Sequence, residues 1–506
     1  MWDISSSSVI HSEPLGSECR NDVDPYIPPA LLPHRDANHA IRFYMNAWKS
    51  QCIPALHVSF HRIEPLCRQS SLLKDIMATL SACRLSRTLP QRKLFKISDA
   101  PGLGFRPDSG HEYLSGELYG SALRKMAWWS HQEFDSHPTL GLAVLVLFCY
   151  LESSMGNFQE FRLHSEGVEN LVKNYTDCVN PHGVGLLAAW VEVKMQNWWR
   201  RAYFGVPDLH RDYSVPLICP ELEATLTTAN DRRASILWIL CESHRLNTAA
   251  IVACWDVRMG HSQTTAVGGV DSTVPFENIT EGTDPRKRIA RIEYMALMNA
   301  QIEKLDHWYA SHPPSEISEC MEHDRDQEAF GSDRPEIEAI HFKSHYVAMN
   351  FAYYVTARVM QCTAPLQSFE DASVVDIDQM YAETESWVRL LLRIAAGINW
   401  KDCIRLNVYT IGLAGLLLAC ALRSRSLAAG IWTQGWLEER LRGDGFEEGN
   451  FPVFQILDAL RLINRERGNG RDVVSLFQTV NDGGGSGKFG SYHSQMINSL
   501  LVFGTY

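Results

Sequence analysis

The sequence predicts an all-α protein, a large irregular array of ten or more helices behind a disordered N-terminal leader. Three observations carry this expectation. Apolar residues recur at spacings of three and four through most of the chain, which is the period of a helix face. Strand signals are nearly absent, with no Asn-Gly turns joining alternating runs and no βαβ rhythm. No fixed-period repeat of the tetratricopeptide or ankyrin type occurs, so the array is expected to be irregular.

Residues 1–35 are rich in Ser, Pro and acidic groups without periodicity and read as a flexible leader. Residues 36–255 form a first helical half. Leu73, Ile76, Leu80 and Cys83 make one stripe between Ser70 and Leu85. Leu114, Leu118, Ala122, Met126 and Trp129 make a second between Tyr113 and Trp129. Helices are then expected over 140–155, 161–175, 185–201 and 235–255. Residues 256–284, with Gly260, Gly268, Gly269, Pro275 and Gly282, read as a linker or long loop.

The second helical half covers 285–480. Asp284-Pro285 offers an N-cap followed by a first-turn proline. The stripe of that helix is Ile289, Ile292, Met295, Met298, Ile302, Leu305 and Trp308, ended by His312-Pro313-Pro314. After an acidic loop at 315–336, helices are expected at 337–362, 376–398, 403–425, 430–442 and 452–467. Residues 481–506 read as a Gly-rich C-terminal tail.

The chain has 506 residues, 45% of them hydrophobic, which excludes a largely disordered protein. Its 47 basic and 59 acidic side chains leave a net charge of −12. That balance opposes clamping nucleic acid with the whole chain. Thirteen scattered cysteines contain no C-x-x-C pair, so reduced structural thiols are expected. The start has no basic and apolar signal segment, and Leu140–Leu151 and Leu406–Leu422 are short for a span, so a soluble protein without membrane contact is expected.

Motifs that carry chemistry mostly fail on spacing. Around Gly485, Gly487 and Gly490 the Walker positions are held by Asp482 and Phe489, and no βαβ unit surrounds the dinucleotide spacing. His57 and His61 with Glu64 could share a helix face, but the zincin glutamate position is Val58. His341 and His345 form a similar pair without a matching carboxylate. There is no Asp-Asp dipeptide for a terpene-cyclase metal cluster and no G-x-S-x-G elbow. Ser, His and Asp residues distant in sequence can still assemble in space. No catalytic residue, cofactor or metal ligand is therefore assigned. The densest basic run, Arg286, Lys287 and Arg288 with Arg291, is a candidate nuclear-import patch.

One segment carries a family likeness. Tyr119, Ala122 and Leu123 lead to the apolar run Leu140–Leu147, then Tyr150-Leu151-Glu152, Gly156-Asn157, and Phe161-Arg162-Leu163-His164-Ser165-Glu166-Gly167-Val168. This resembles the helical regulatory domain of fungal binuclear-zinc-cluster transcription factors. There an apolar helix ends in aromatic–x–Glu, a Gly turn follows, and an aromatic precedes His-x-x-Gly-Ala. Val168 stands where Ala is usual, and the likeness weakens after residue 255. The family's six clustered cysteines have no counterpart, since only Cys19 and Cys52 precede residue 60.

The resemblance implies a nuclear or nuclear-and-cytoplasmic transcriptional regulator, not an enzyme, that acts through protein partners or a small-molecule effector. Control of a metabolic or secondary-metabolite gene cluster would fit it. The expected partner is a separate DNA-binding regulator, with no direct sequence-specific DNA binding by this chain. Glu152, Gly156, His164 and Gly167 are expected to be turn and core residues, with Glu152 bonding amides beyond the turn. The alternative is an enzyme or accessory protein of fungal secondary metabolism with a pocket in the helical body.

Overall fold

The computed structural model describes residues 37–88, 93–96, 103–129, 131–174, 181–204, 215–263, 289, 291–311, 337–362, 377–442, 447–480 and 496–503. The expected leader at 1–35, the acidic loop at 315–336 and the glycine-rich stretch at 481–490 lie outside them. The described chain is mostly helical. In order come α1 (Ala37–Ala47), a π-helical turn (Trp48–Cys52), a 3-10 turn (Val58–Arg62), α2 (Glu64–Gln69) and α3 (Ser71–Arg87). Then follow α4 (Ser109–Ala127), α5 (His131–Ser136), α6 (Pro138–Met155), α7 (Phe158–Asn174), α8 (Pro181–Phe204), α9 (Pro220–Ala229) and α10 (Arg232–Gln263). The second half holds α11 (Arg291–Ala310), α12 (His345–Gln361), α13 (Ile377–Gly397), α14 (Trp400–Leu406), α15 (Leu413–Arg423), α16 (Leu427–Leu441) and α17 (Val453–Gly468).

Caps and prolines set many of the starts. Ser70 accepts the Leu73 amide at α3, and Asp108 accepts those of Gly110 and His111 at α4. Pro138 and Pro220 occupy the first turns of α6 and α9, where a missing N–H costs nothing. Two expected boundaries are displaced. Helix α10 runs on to Gln263, taking the first residues of the supposed linker. Ile289 is not helical and α11 begins at Arg291, while the expected start at Asp284-Pro285 lies outside the described residues. On α11 the expected stripe holds at Met298, Leu305 and Trp308, which are buried, but Ile292 is 86% exposed and Tyr294 is buried instead.

Helix α6 lies in the interior, against α3, α7 and α8, and α10 packs on α8, α11 and α12. By length and composition alone Pro138–Met155 could cross a membrane, yet 83% of it is covered by protein. One continuous core runs from Trp48 to Leu476 and takes side chains from both halves. Tyr150 of α6, for example, meets Tyr409 edge-on with ring centroids 5.3 Å apart.

Strands are more numerous than the sequence suggested. Three antiparallel hairpins are present: β1 (Lys93–Lys96) with β2 (Leu103–Arg106), β3 (Glu447–Glu448) with β4 (Phe451–Pro452), and β5 (Val473–Val480) with β6 (Met496–Phe503). The supposed C-terminal tail thus returns to the body through β6. The expected helix 403–425 is also broken: α14 ends at Leu406 and α15 begins at Leu413. The residues between them, 407–412, are buried and non-helical.

Candidate functional site

The resemblance residues meet where α6 turns into α7. Gly156 ends α6 at φ 72°, a left-handed conformation that glycine adopts without strain. Its amide donates to the Ser153 carbonyl, and the Asn157 amide donates to the Glu152 carbonyl at 3.0 Å. The backbone of Glu152 thus closes the turn, while its fully buried carboxylate faces inward and accepts the Tyr119 hydroxyl. His164 Nε2 lies 3.9 Å from the same carboxylate oxygen and makes no hydrogen bond. The imidazole stacks on Phe148, centroids 4.7 Å apart and planes within 11°. Burial pushes its pKa down to about 4, so the ring is neutral near pH 7. At Gly167 an added methyl would touch Leu145 at 3.4 Å, which is close but ordinary contact.

A second polar centre surrounds the broken helix. A non-helical segment in the core must have its backbone groups bonded by something. The Gln196 amide nitrogen of α8 reaches the carbonyls of Val408 (2.9 Å), Thr410 (3.1 Å) and Gly449 (2.9 Å). The Tyr353 hydroxyl donates to the Ile411 carbonyl at 2.7 Å. Glu448 accepts the amides of Leu413 and Ala414 and the side-chain amide of Asn407, each at 2.8 Å. Burial raises its pKa, and these three donors pull it part of the way back. A cavity of about 30 Å³ adjoins this centre, lined in part by Gln196, Trp199, Arg200, Gly412, Glu448 and Gly449. That is room for water or a very small ion.

The third centre joins three elements far apart in sequence. His57 caps the 3-10 turn, Glu192 sits mid-way along α8, and Asp231 caps α10 by accepting the Ala234 amide at Oδ1. Their ligating atoms all lie within 4.8 Å of one another. His57 Nε2 is 2.9 Å from Asp231 Oδ2, while Nδ1 meets the Ser59 hydroxyl at 2.9 Å and accepts the Ser59 amide at 3.2 Å. Because Nδ1 accepts, Nε2 carries the proton toward Asp231. Burial works against charge on His57, but the Asp231 hydrogen bond and the Glu192 and Asp231 charges outweigh it and raise its pKa. Burial likewise raises Asp231, yet His57 and the Ala234 amide prevail and lower it. Glu192 is raised by burial. Arg233 lies alongside, over the Tyr346 ring at 3.8 Å and bonded to Asn350 Oδ1 at 3.0 Å.

Chemically, this third centre can relay a proton or ligate a cation. A serine nucleophile does not fit. The Ser59 amide already occupies the lone pair of Nδ1, the atom that would have to take the hydroxyl proton. The sequence singles out two residues of this cluster, His57 and, in the partial metal motif Asn230-Asp231 that lacks its serine at Ala234, Asp231. The expected neighbours of His57 were different. His61 and Glu64 are exposed, and His57 precedes the turn instead of sharing a helix face with them. His341 and His345 also fail to share a face, since α12 begins at His345. His341 meets the Gly397 carbonyl and His345 meets Asn407.

Arg286, Lys287 and Arg288, like Gly485, Gly487 and Gly490, lie outside the described residues, and Arg291 opens α11. Cys52, Cys67, Cys83, Cys149, Cys219, Cys241, Cys362, Cys403 and Cys420 are free thiols, and of these all but Cys219 are buried. Burial raises the thiol pKa of Cys52 to about 11, which suits packing and not nucleophilic chemistry. The fold and these centres define the class only: a mostly helical protein with one shared core and buried polar junctions. No family model, curated protein or solved structure matches the chain.

Proposed function

We propose that the chain is a transcriptional regulator of the kind its α6–α7 segment resembles, a helical regulatory body without a DNA-reading element of its own. The α6–α7 corner is the observation that carries this reading. Glu152, Gly156 and His164 hold a turn and a buried contact there, as core residues of a regulatory body would, and none presents a reactive group to solvent. The net charge of −12 supports action through a separate DNA-binding partner. Protein partners and a small-molecule effector both belong to this reading. Work in the nucleus, or shared between nucleus and cytoplasm, on a metabolic or secondary-metabolite gene cluster belongs to the same proposal.

The test is a mobility-shift selection with purified protein near physiological salt, with and without nuclear extract. Alone, the protein should bind DNA without sequence preference and with a dissociation constant of about 10⁻⁴ M or weaker. A sequence-specific shift should appear only with extract. A specific nanomolar site bound by the protein alone would refute the partner reading. The second reading, an enzyme or accessory protein of secondary metabolism, is favoured by one observation, the buried His57–Glu192–Asp231 cluster. Turnover of a metabolite by the purified chain would establish it.

A further inference from the structure

We infer that His57, Glu192 and Asp231 bind a divalent first-row transition-metal ion. Three features support this independently of the regulatory reading. First, the donor set is one imidazole nitrogen and two carboxylates, brought within 4.8 Å from positions up to 174 residues apart. Nitrogen and oxygen donors of this kind suit Zn²⁺ and its first-row neighbours.

Second, Glu192 is only 4% exposed, and its Oε1 makes no hydrogen bond. A buried carboxylate oxygen left unsatisfied is costly, and a cation supplies the missing partner. Third, two ligands are already oriented from behind. Asp231 spends Oδ1 on the Ala234 amide and leaves Oδ2 toward the cluster. When His57 Nε2 turns its lone pair to a metal, its proton passes to Nδ1. That atom gives up the 3.2 Å bond from the Ser59 amide and donates instead to the Ser59 hydroxyl 2.9 Å away.

The spacing fits. Ligands about 2.0–2.2 Å from a shared ion sit roughly 3 Å from each other, and His57 Nε2 and Asp231 Oδ2 are already 2.9 Å apart. Glu192 closes the remaining gap by a side-chain rotation on α8. Arg233 adds one positive charge beside the site, but two carboxylates outweigh it once the imidazole is neutral. Entry is from the Asp231 side, whose side chain is 20% exposed while that of His57 is 6%.

The experiment uses the full chain, stripped with chelator and titrated with Zn²⁺ by calorimetry. Melting curves and Co²⁺ absorption spectra accompany it. The expected result is one ion per chain and a raised melting temperature. The Co²⁺ spectrum should have ligand-field bands and no thiolate charge-transfer band. Glu192→Gln keeps the shape of the side chain, so it should keep the metal-free melting curve while weakening Zn²⁺ binding by ~100-fold or more. Asp231→Asn, which retains the cap at Oδ1, should weaken it similarly and replaces E192Q should that variant fail to fold. Absence of saturable binding would overturn the site. So would E192Q or D231N binding with wild-type affinity, since the ion would then sit on other histidines or thiols.

Discussion

Glu448 caps a helix that begins 35 residues before it: its carboxylate accepts the Leu413 amide at 2.8 Å, and the Ala414 amide beside it. Helix α15 starts from Gly412, whose missing side chain cannot cap. The hairpin β3–β4 carries the carboxylate to the opening amides instead. Gly412 also has to be glycine here, because a methyl would lie 2.7 Å from the Glu448 carboxyl carbon.

Removing that carboxylate should therefore damage the junction of both halves. Glu448→Ala leaves two amides and the Asn407 side chain without their acceptor inside the core. It should cost about 3–5 kcal/mol of stability. Glu448→Gln keeps one acceptor but turns an NH₂ group toward an amide, and should cost about 2 kcal/mol. Urea unfolding of the two variants checks the order; E448A as stable as wild type would exclude the capping role.

The hairpin turn offers a separate test. Gly449 and Asn450 both have positive φ, 62° and 55°, the pair of left-handed residues a tight two-residue hairpin requires. A methyl on Gly449 would also stand 2.9 Å from the Thr410 carbonyl oxygen. Gly449→Ala should cost about 2 kcal/mol or more through strain and displacement of the 407–412 segment. Asn450→Gly keeps the turn but loses the bond from its side-chain amide to the Ser154 hydroxyl, so it should cost less than G449A, about 1 kcal/mol, by the same urea measurement.

Stability should depend on pH through His164. Its folded pKa is held near 4 against an ordinary 6.5, so the unfolded chain binds the proton more readily. The contribution is complete above about pH 6.5 and is lost as pH falls toward 4, up to about 3 kcal/mol in all. Melting temperature should drop across that window, and His164→Phe, which keeps the stacking on Phe148, should flatten part of the drop. An identical pH profile in the variant would remove His164 as the cause.

Local patterns in the sequence mark what local physics decides. The stripe at Leu73, Ile76 and Leu80 became the buried face of α3, and Gly156 became the turn it suggested. The β3–β4 hairpin also has a local signal, Gly449-Asn450, but it reverses the Asn-Gly order that marks hairpins most strongly, and the flanking strands are only two residues each. Val473–Val480, at the end of the expected helical half, and Met496–Phe503, within the expected tail, carry enough β-branched and aromatic residues to suggest strands. The glycines between them drew the reading toward a tail.

Long-range pairings were illegible for a physical reason. Nothing near Leu406 announces that Gln196, more than 200 residues away, will bond the carbonyls of a broken helix. Asn407, Thr410 and Gly412 hint at the break, but only the partners make it affordable in a core. The same holds for Asp231, since nothing near it in the chain announces that the fold sets His57 and Glu192 beside it.

The central claim is that this helical body acts on transcription without reading DNA itself. The direct measurement is reporter output when the full chain is fused to an unrelated DNA-binding domain whose site lies upstream of a promoter. The expected result is a several-fold change in transcription, in either direction. The same chain without that domain should leave the promoter at baseline. A fused chain that is folded and nuclear, occupies the site and leaves output unchanged contradicts the claim.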